Sequence, residues 1–120
     1  MKKKKRAQRG FTLIETLISM FILSVALLGM SSMVFSVVRA TDQSKEMTTA
    51  TTLLQDKMEN LKNTSISLLT SGNDSASLGN ITYNRVWGIN TAGNLKTISV
   101  TVNWTSRGAR GVSATTLRGE

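Results

Sequence analysis

Few side chains in this sequence can do chemistry, and the informative ones cluster near the N-terminus, in Arg9-Gly10-Phe11-Thr12-Leu13-Ile14-Glu15. Gly10 presents a peptide bond with no side chain to obstruct a protease. Glu15 is the only charge between Phe11 and Val38. A carboxylate in a spanning helix costs about 2.5–3.5 kcal/mol at the bilayer centre and less near the interface. It either snorkels to nearby headgroups or pairs with a cation. Thr12, Thr16 and Ser19 share its side of a helix, where small polar residues either favour helix contacts or are simply tolerated. The chain has no cysteine and no histidine. The usual transition-metal sites and the Ser-His and Cys-His catalytic pairs therefore cannot be built within it. No cofactor is expected, and the protein is not expected to be an enzyme.

The segment that must position Glu15 is long and apolar. Phe11–Val38 is 28 residues, more than the roughly 20 that cross a bilayer as a helix and more than the roughly 7–15 of a secretory signal core. The 120-residue chain carries a net charge of +8, but six of its fifteen basic residues are Lys2, Lys3, Lys4, Lys5, Arg6 and Arg9. Beyond residue 10, nine basic residues face seven acidic ones, leaving +2. Basicity concentrated before an apolar span is a topology signal that keeps the N-terminus cytoplasmic, with the remainder outside the inner membrane, in the periplasm or its equivalent. A nucleic-acid patch is the competing reading of such a cluster; its position beside the span argues against it, and no direct nucleic-acid binding is expected.

Arg39–Lys62 contains no glycine or proline, so the helix is expected to continue. Met47, Ala50, Leu54, Met58 and Leu61 recur at three- or four-residue spacing, one buried stripe of an amphipathic helix. Asp42 with Lys45, and Glu59 with Lys62, form i,i+3 pairs on its solvated side. At about 1.5 Å per residue, a helix over residues 11–62 would span roughly 78 Å. Residues 63–77 are rich in Ser, Thr, Asn and Gly and read as a loop, with a turn at Ser71-Gly72-Asn73-Asp74. The period then changes to two. Ile81, Tyr83, Arg85, Trp87 and Ile89 alternate with other residues, as do Ile98, Val100, Val102 and Trp104; Val112–Leu117 is a weaker third run. An antiparallel sheet of about three strands over residues 78–120 follows, one face on the Leu54, Met58, Leu61 stripe and the other in water. The expected class is α+β: a long N-terminal helix packed on a small antiparallel sheet.

The Arg9–Glu15 stretch, between a basic leader and an apolar span, resembles the processing and methylation motif of type IV prepilins and type II secretion pseudopilins. In that family a basic leader ends in glycine, an aromatic residue follows, and a glutamate stands fifth in the mature chain; Gly10, Phe11 and Glu15 occupy those places. The resemblance implies that residues 1–10 are a cytoplasmic leader, removed after Gly10 by a membrane-embedded aspartic prepilin peptidase that also methylates the new amine of Phe11. It implies that Glu15 pairs with a neighbouring subunit's N-terminal amine in the filament. The partners it implies are other major and minor pilins or pseudopilins, an inner-membrane assembly platform and membrane lipid. The chain lacks the helix proline and cysteine pair common in major pilins, and its run Lys96–Trp104 with the late segment Gly111–Leu117 resembles the PilV-type minor pilins and the I-type minor pseudopilins of type II secretion. An uncleaved single-pass membrane protein with a small ligand-binding outer domain is the alternative from another class.

Overall fold

The computed structural model describes residues 10–119; the basic leader through Arg9 and the terminal Glu120 lie outside the described residues. One α-helix, α1, runs Leu13–Asn63, followed by a 3-10 turn at Ile66–Leu68 and four strands: β1 (Gly72–Leu78), β2 (Ile81–Ala92), β3 (Leu95–Thr105) and β4 (Ala109–Gly119). The helix bounds depart by one or two residues from those expected. The chain divides into two compact units at Thr41 and Asp42.

In the first unit, α1 has no interior to face. Every large apolar side chain from Phe11 to Val38 is exposed, from 53% at Ile18 and Val38 to 81% at Leu13. The helix is long and apolar enough to cross a membrane. Six of its hydroxyls turn inward on their own backbone. Thr16, Ser24, Ser31, Ser32, Ser36 and Thr41 each donate to a carbonyl three or four residues earlier at 2.8–3.1 Å. They satisfy themselves locally, as hydroxyls in an apolar medium must. Thr16 therefore needs no partner helix to accept its proton.

The second unit is a four-stranded antiparallel meander in the order β1-β2-β3-β4, packed against the helix residues from Asp42 on. Ala50, Leu54, Met58 and Leu61 form the buried stripe, meeting Leu69, Tyr83, Ile98, Val100, Val102 and Trp104 in one core. Met47, expected in that stripe, is 44% exposed; Glu46, beside it, faces the sheet instead. Ile98, Val100 and Val102 are fully buried, each worth about 1.5–3 kcal/mol by burial of its side chain. Their neighbours Ser99, Thr101 and Asn103 occupy the opposite face, as alternation requires.

The sheet has one strand more than expected. Gly72–Leu78 lies within the stretch read as a loop over 63–77, and Gly72, Asn73 and Asp74, read as a turn, open β1. Its register with β2 runs from Gly72↔Trp87 to Leu78↔Ile81. Two tight turns set the registers. Gly79-Asn80 joins β1 to β2, and Gly93-Asn94 joins β2 to β3, where Ala92 pairs Leu95. Both glycines have φ +61°, and among the described residues no non-glycine has positive φ. A left-handed first central residue alone is the pattern of a type II′ turn, whose twist matches the strands it joins.

Candidate processing and assembly segment

Residues 10–12 precede the helix, and Leu13 begins it. The carbonyl of Thr12 accepts from the amides of Glu15 (3.0 Å) and Thr16 (3.2 Å), closing the first turn. The peptide bond between Gly10 and Phe11 therefore lies in non-helical backbone, the form a protease can bind. A Cβ at Gly10 would meet no other atom within 4 Å. Packing among the described residues thus does not require the glycine. Phe11 is 78% exposed.

Glu15 stands in the first turn of α1. A negative charge there interacts favourably with the positive end of the helix dipole, which lowers the cost of holding a carboxylate at the start of an apolar helix. Its side chain is exposed and makes no ion pair among the described residues. Near the other end of the apolar stretch, the guanidinium of Arg39 sits 4.4 Å from the centre of the Phe35 ring, a cation–π contact. Gly10, Phe11 and Glu15 thus lie within one short exposed stretch, set by the local helix start.

Residues 5–31 match a family model described as the prokaryotic N-terminal methylation motif. No curated protein and no solved structure matches the chain. The motif, joined to a long N-terminal helix and an antiparallel sheet, supports a type IV prepilin-like or pseudopilin family. The motif supports a precursor of that type, and the apolar N-terminal helix fits a membrane-anchored pilin.

The polar residues that fasten the second unit were not visible as a set in the sequence. Asp74 on β1 accepts from Arg85 of β2 through both oxygens, at 2.6 and 2.8 Å, and from Lys57 of the helix at 3.2 Å. The Lys57 ammonium also lies 3.5 Å from the centre of the Trp87 ring. Burial by itself would raise the Asp74 carboxyl, but the hydrogen bonds from Arg85 and Lys57 outweigh it and hold the carboxyl below its ordinary value. Farther up the helix, Glu46 accepts from Ser106 Oγ at 2.7 Å and Trp104 Nε1 at 3.2 Å. The Ser106 bond is the main cause of its lowered pKa, helped by Trp104, Arg110 and Arg107 against partial burial.

The cross-strand neighbours Lys96 and Arg118 are like charges that would repel if left alone. Lys96 Nζ instead donates to the carbonyl of Ile66, and Arg118 Nη1 to that of Thr64, each at 2.5 Å. These carbonyls lie just past the helix C-terminus, where cations are favoured. Asp42, expected to pair with Lys45, instead faces Arg107 at 3.8 Å, and no ion pair joins Glu59 to Lys62 among the described residues.

Proposed function

We propose that this protein is the precursor of a minor pilin that is cut after Gly10 and methylated at Phe11 by a prepilin peptidase. Its apolar helix then holds it in the inner membrane with the sheet outside, until the assembly platform passes it into a type IV pilus. Its work is assembly, not catalysis. In the membrane the exposed side chains of Phe11–Val38 face lipid; in the filament they face the equivalent helices of other pilins. Glu15 sits four residues after the new amine. Once lipid gives way to packed helices, a lone buried carboxylate is costly, and a neighbouring subunit's methylated ammonium satisfies it while fixing axial register.

The observation that carries this reading is the Gly10-Phe11 junction with Glu15, inside the matched segment 5–31 and directly before an exposed apolar helix. The test is the mature N-terminus. Mass spectrometry of membrane-extracted protein is expected to find N-methyl-Phe11 at the start, and Gly10→Val to leave the leader attached. A mature chain starting beyond Val38 would describe an ordinary secreted protein; an intact leader on the wild type would describe an uncleaved single-pass protein.

A further inference from the structure

The two edges of the sheet are finished differently. β1 is a seven-residue strand whose inward side carries Asp74, locked to Arg85 and Lys57. β4 is eleven residues long and ends the sheet on the other side. Its inward side chains Val112 and Ala114 are only half-buried, whereas Val100 and Val102 of β3 are fully buried. Beside them lies a groove of about 570 Å³, floored by Leu54 and Met58 and bounded by Gln55 and Glu59 of the helix and by Val112 and Ala114 of β4. The sheet therefore stops short of covering the helix flank, and an outer row of backbone N–H and C=O groups stands beside the opening.

We infer that the β4 edge and this groove together form a docking strip for an extended, acidic segment of a partner protein, added as a fifth antiparallel or parallel strand. Such strand addition takes its affinity from main-chain hydrogen bonds and its selectivity from alternate side chains entering a groove. Here the inward positions would meet Leu54 and Met58, so they call for Val- or Leu-sized residues.

Charge selects the partner. Residues 64–120 carry five basic side chains, Arg85, Lys96, Arg107, Arg110 and Arg118, against two acids, the terminal Glu120 and Asp74, the latter on the far edge and already paired. One end of β4 has Arg110 and, just before the strand, Arg107, which keeps donors to spare beside Asp42 at 3.8 Å; the other has Arg118, with Lys96 across from it on β3. Arg118 uses one N–H on Thr64, and a guanidinium has five. A second copy of β4 is a poor occupant. Antiparallel self-pairing centred on Ala114 would set Arg110 of each chain opposite Arg118 of the other, like against like at both ends. An incoming strand with Asp or Glu at its two ends meets neither repulsion. This surface is independent of how the N-terminal segment is processed.

The test uses the full chain in detergent micelles and three nine-residue peptides of alternating Val and Ser. One ends in Asp on both sides, one in Lys, and one is the Asp peptide with proline in the middle. The Asp peptide is expected to slow amide hydrogen exchange along β4 and not along β1, and to bind about tenfold or more tighter than the Lys peptide. The proline peptide should bind weakly because it breaks the ladder. Gln55→Trp, at an exposed helix position, fills the groove without touching the core and should abolish binding while leaving the wild-type unfolding midpoint. Equal binding of the Asp and Lys peptides would overturn the proposal, as would absence of β4 protection or undiminished binding by the Trp variant. Cross-linking of two chains through β4 would overturn it too, by assigning the edge to a second copy.

Discussion

Within one continuous helix, the residues before Thr41 and those after it solve opposite problems. Before it, apolar side chains cover the whole circumference and all are exposed. After it, the same backbone buries only Ala50, Leu54, Met58 and Leu61 and leaves the rest to water and to ion pairs. A helix apolar all round requires an apolar surround from outside the chain, while a striped helix finds its own cover in the sheet. The first part therefore depends on its neighbours and the second on itself. Mutations should separate the two dependences.

The largest effect is expected at Glu15. Glu15→Ala should leave insertion and cleavage intact, because it makes the span more apolar and leaves Gly10 untouched. It should reduce entry into filaments, since breaking one side of a desolvated pair costs about 3–5 kcal/mol. At about 1.4 kcal/mol per tenfold, that is several hundredfold or more in the docking equilibrium. The check is the ratio of this protein in sheared filaments to that in membranes. An unchanged ratio would leave Glu15 a headgroup-facing residue and nothing more.

Next is Ile98→Ala, which opens a cavity at a fully buried site and should lower the stability of the second unit by about 2–5 kcal/mol. Leu23→Ala, in the exposed stretch, should leave that stability unchanged. Denaturant unfolding in micelles, followed by the fluorescence of Trp87 and Trp104, measures both. Equal losses would erase the distinction between the two parts of the helix.

A smaller effect belongs to the carboxylates. Asp74→Asn should cost about 1–2 kcal/mol near neutral pH, toward the low end because the side chain is a third exposed. Asp74 and Glu46 both have folded pKa values lowered from the ordinary carboxylate range. Their stabilisation is therefore fully present above the unfolded values, about 3.9 and 4.3, and is lost as pH falls through the folded values. Urea midpoints of the wild type should drop on acidification below about pH 4. The double variant Asp74→Asn, Glu46→Gln should show a shallower acid limb; an unaltered limb would place the titration elsewhere.

An effect of similar size is expected at the second turn, and the smallest is the difference between two variants there. Gly93→Ala puts a side chain at φ +61° and should cost about 1–2 kcal/mol. Gly93→Asn should cost less, because asparagine tolerates that region better. Thermal midpoints of the two variants give the comparison.

Much of this was legible because local periodicity is strong where burial is one-sided. Ile98, Val100, Val102 and Trp104 alternate without interruption, and the structure buries all four. Leu54, Met58 and Leu61 carry the helical period, and the structure places them under the sheet. Strand β1 was missed because Gly-Asn-Asp-Ser-Ala-Ser holds no β-branched or aromatic residue. Its pairing is imposed from outside by β2 and by the Asp74–Arg85 bond. Gly79-Asn80, directly before Ile81, was the available signal, since Gly-Asn marks a two-residue hairpin and implies a strand before it. Met47 kept the helical spacing yet lies 44% exposed, because spacing cannot tell how far the sheet extends along the helix. The fastening contacts Glu46–Trp104 and Lys96–Ile66 join residues 58 and 30 positions apart, beyond any local pattern. The Gly10, Phe11, Glu15 motif was legible for the opposite reason: its residues are close in sequence and match a family model as a linear pattern.

The meander has a kinetic consequence. Each strand pairs only with those next to it in the chain, and two of the three connections are two-residue turns. Forming each hairpin closes a small loop, so little chain entropy is lost before pairing begins. Such low contact order favours fast folding for a sheet, with hairpins closing on a scale of about 1–10 μs. A chain delivered lengthwise could therefore zip its strands in the order they emerge, without waiting for a distant partner strand. The time it spends with unpaired edges open to aggregation is correspondingly short.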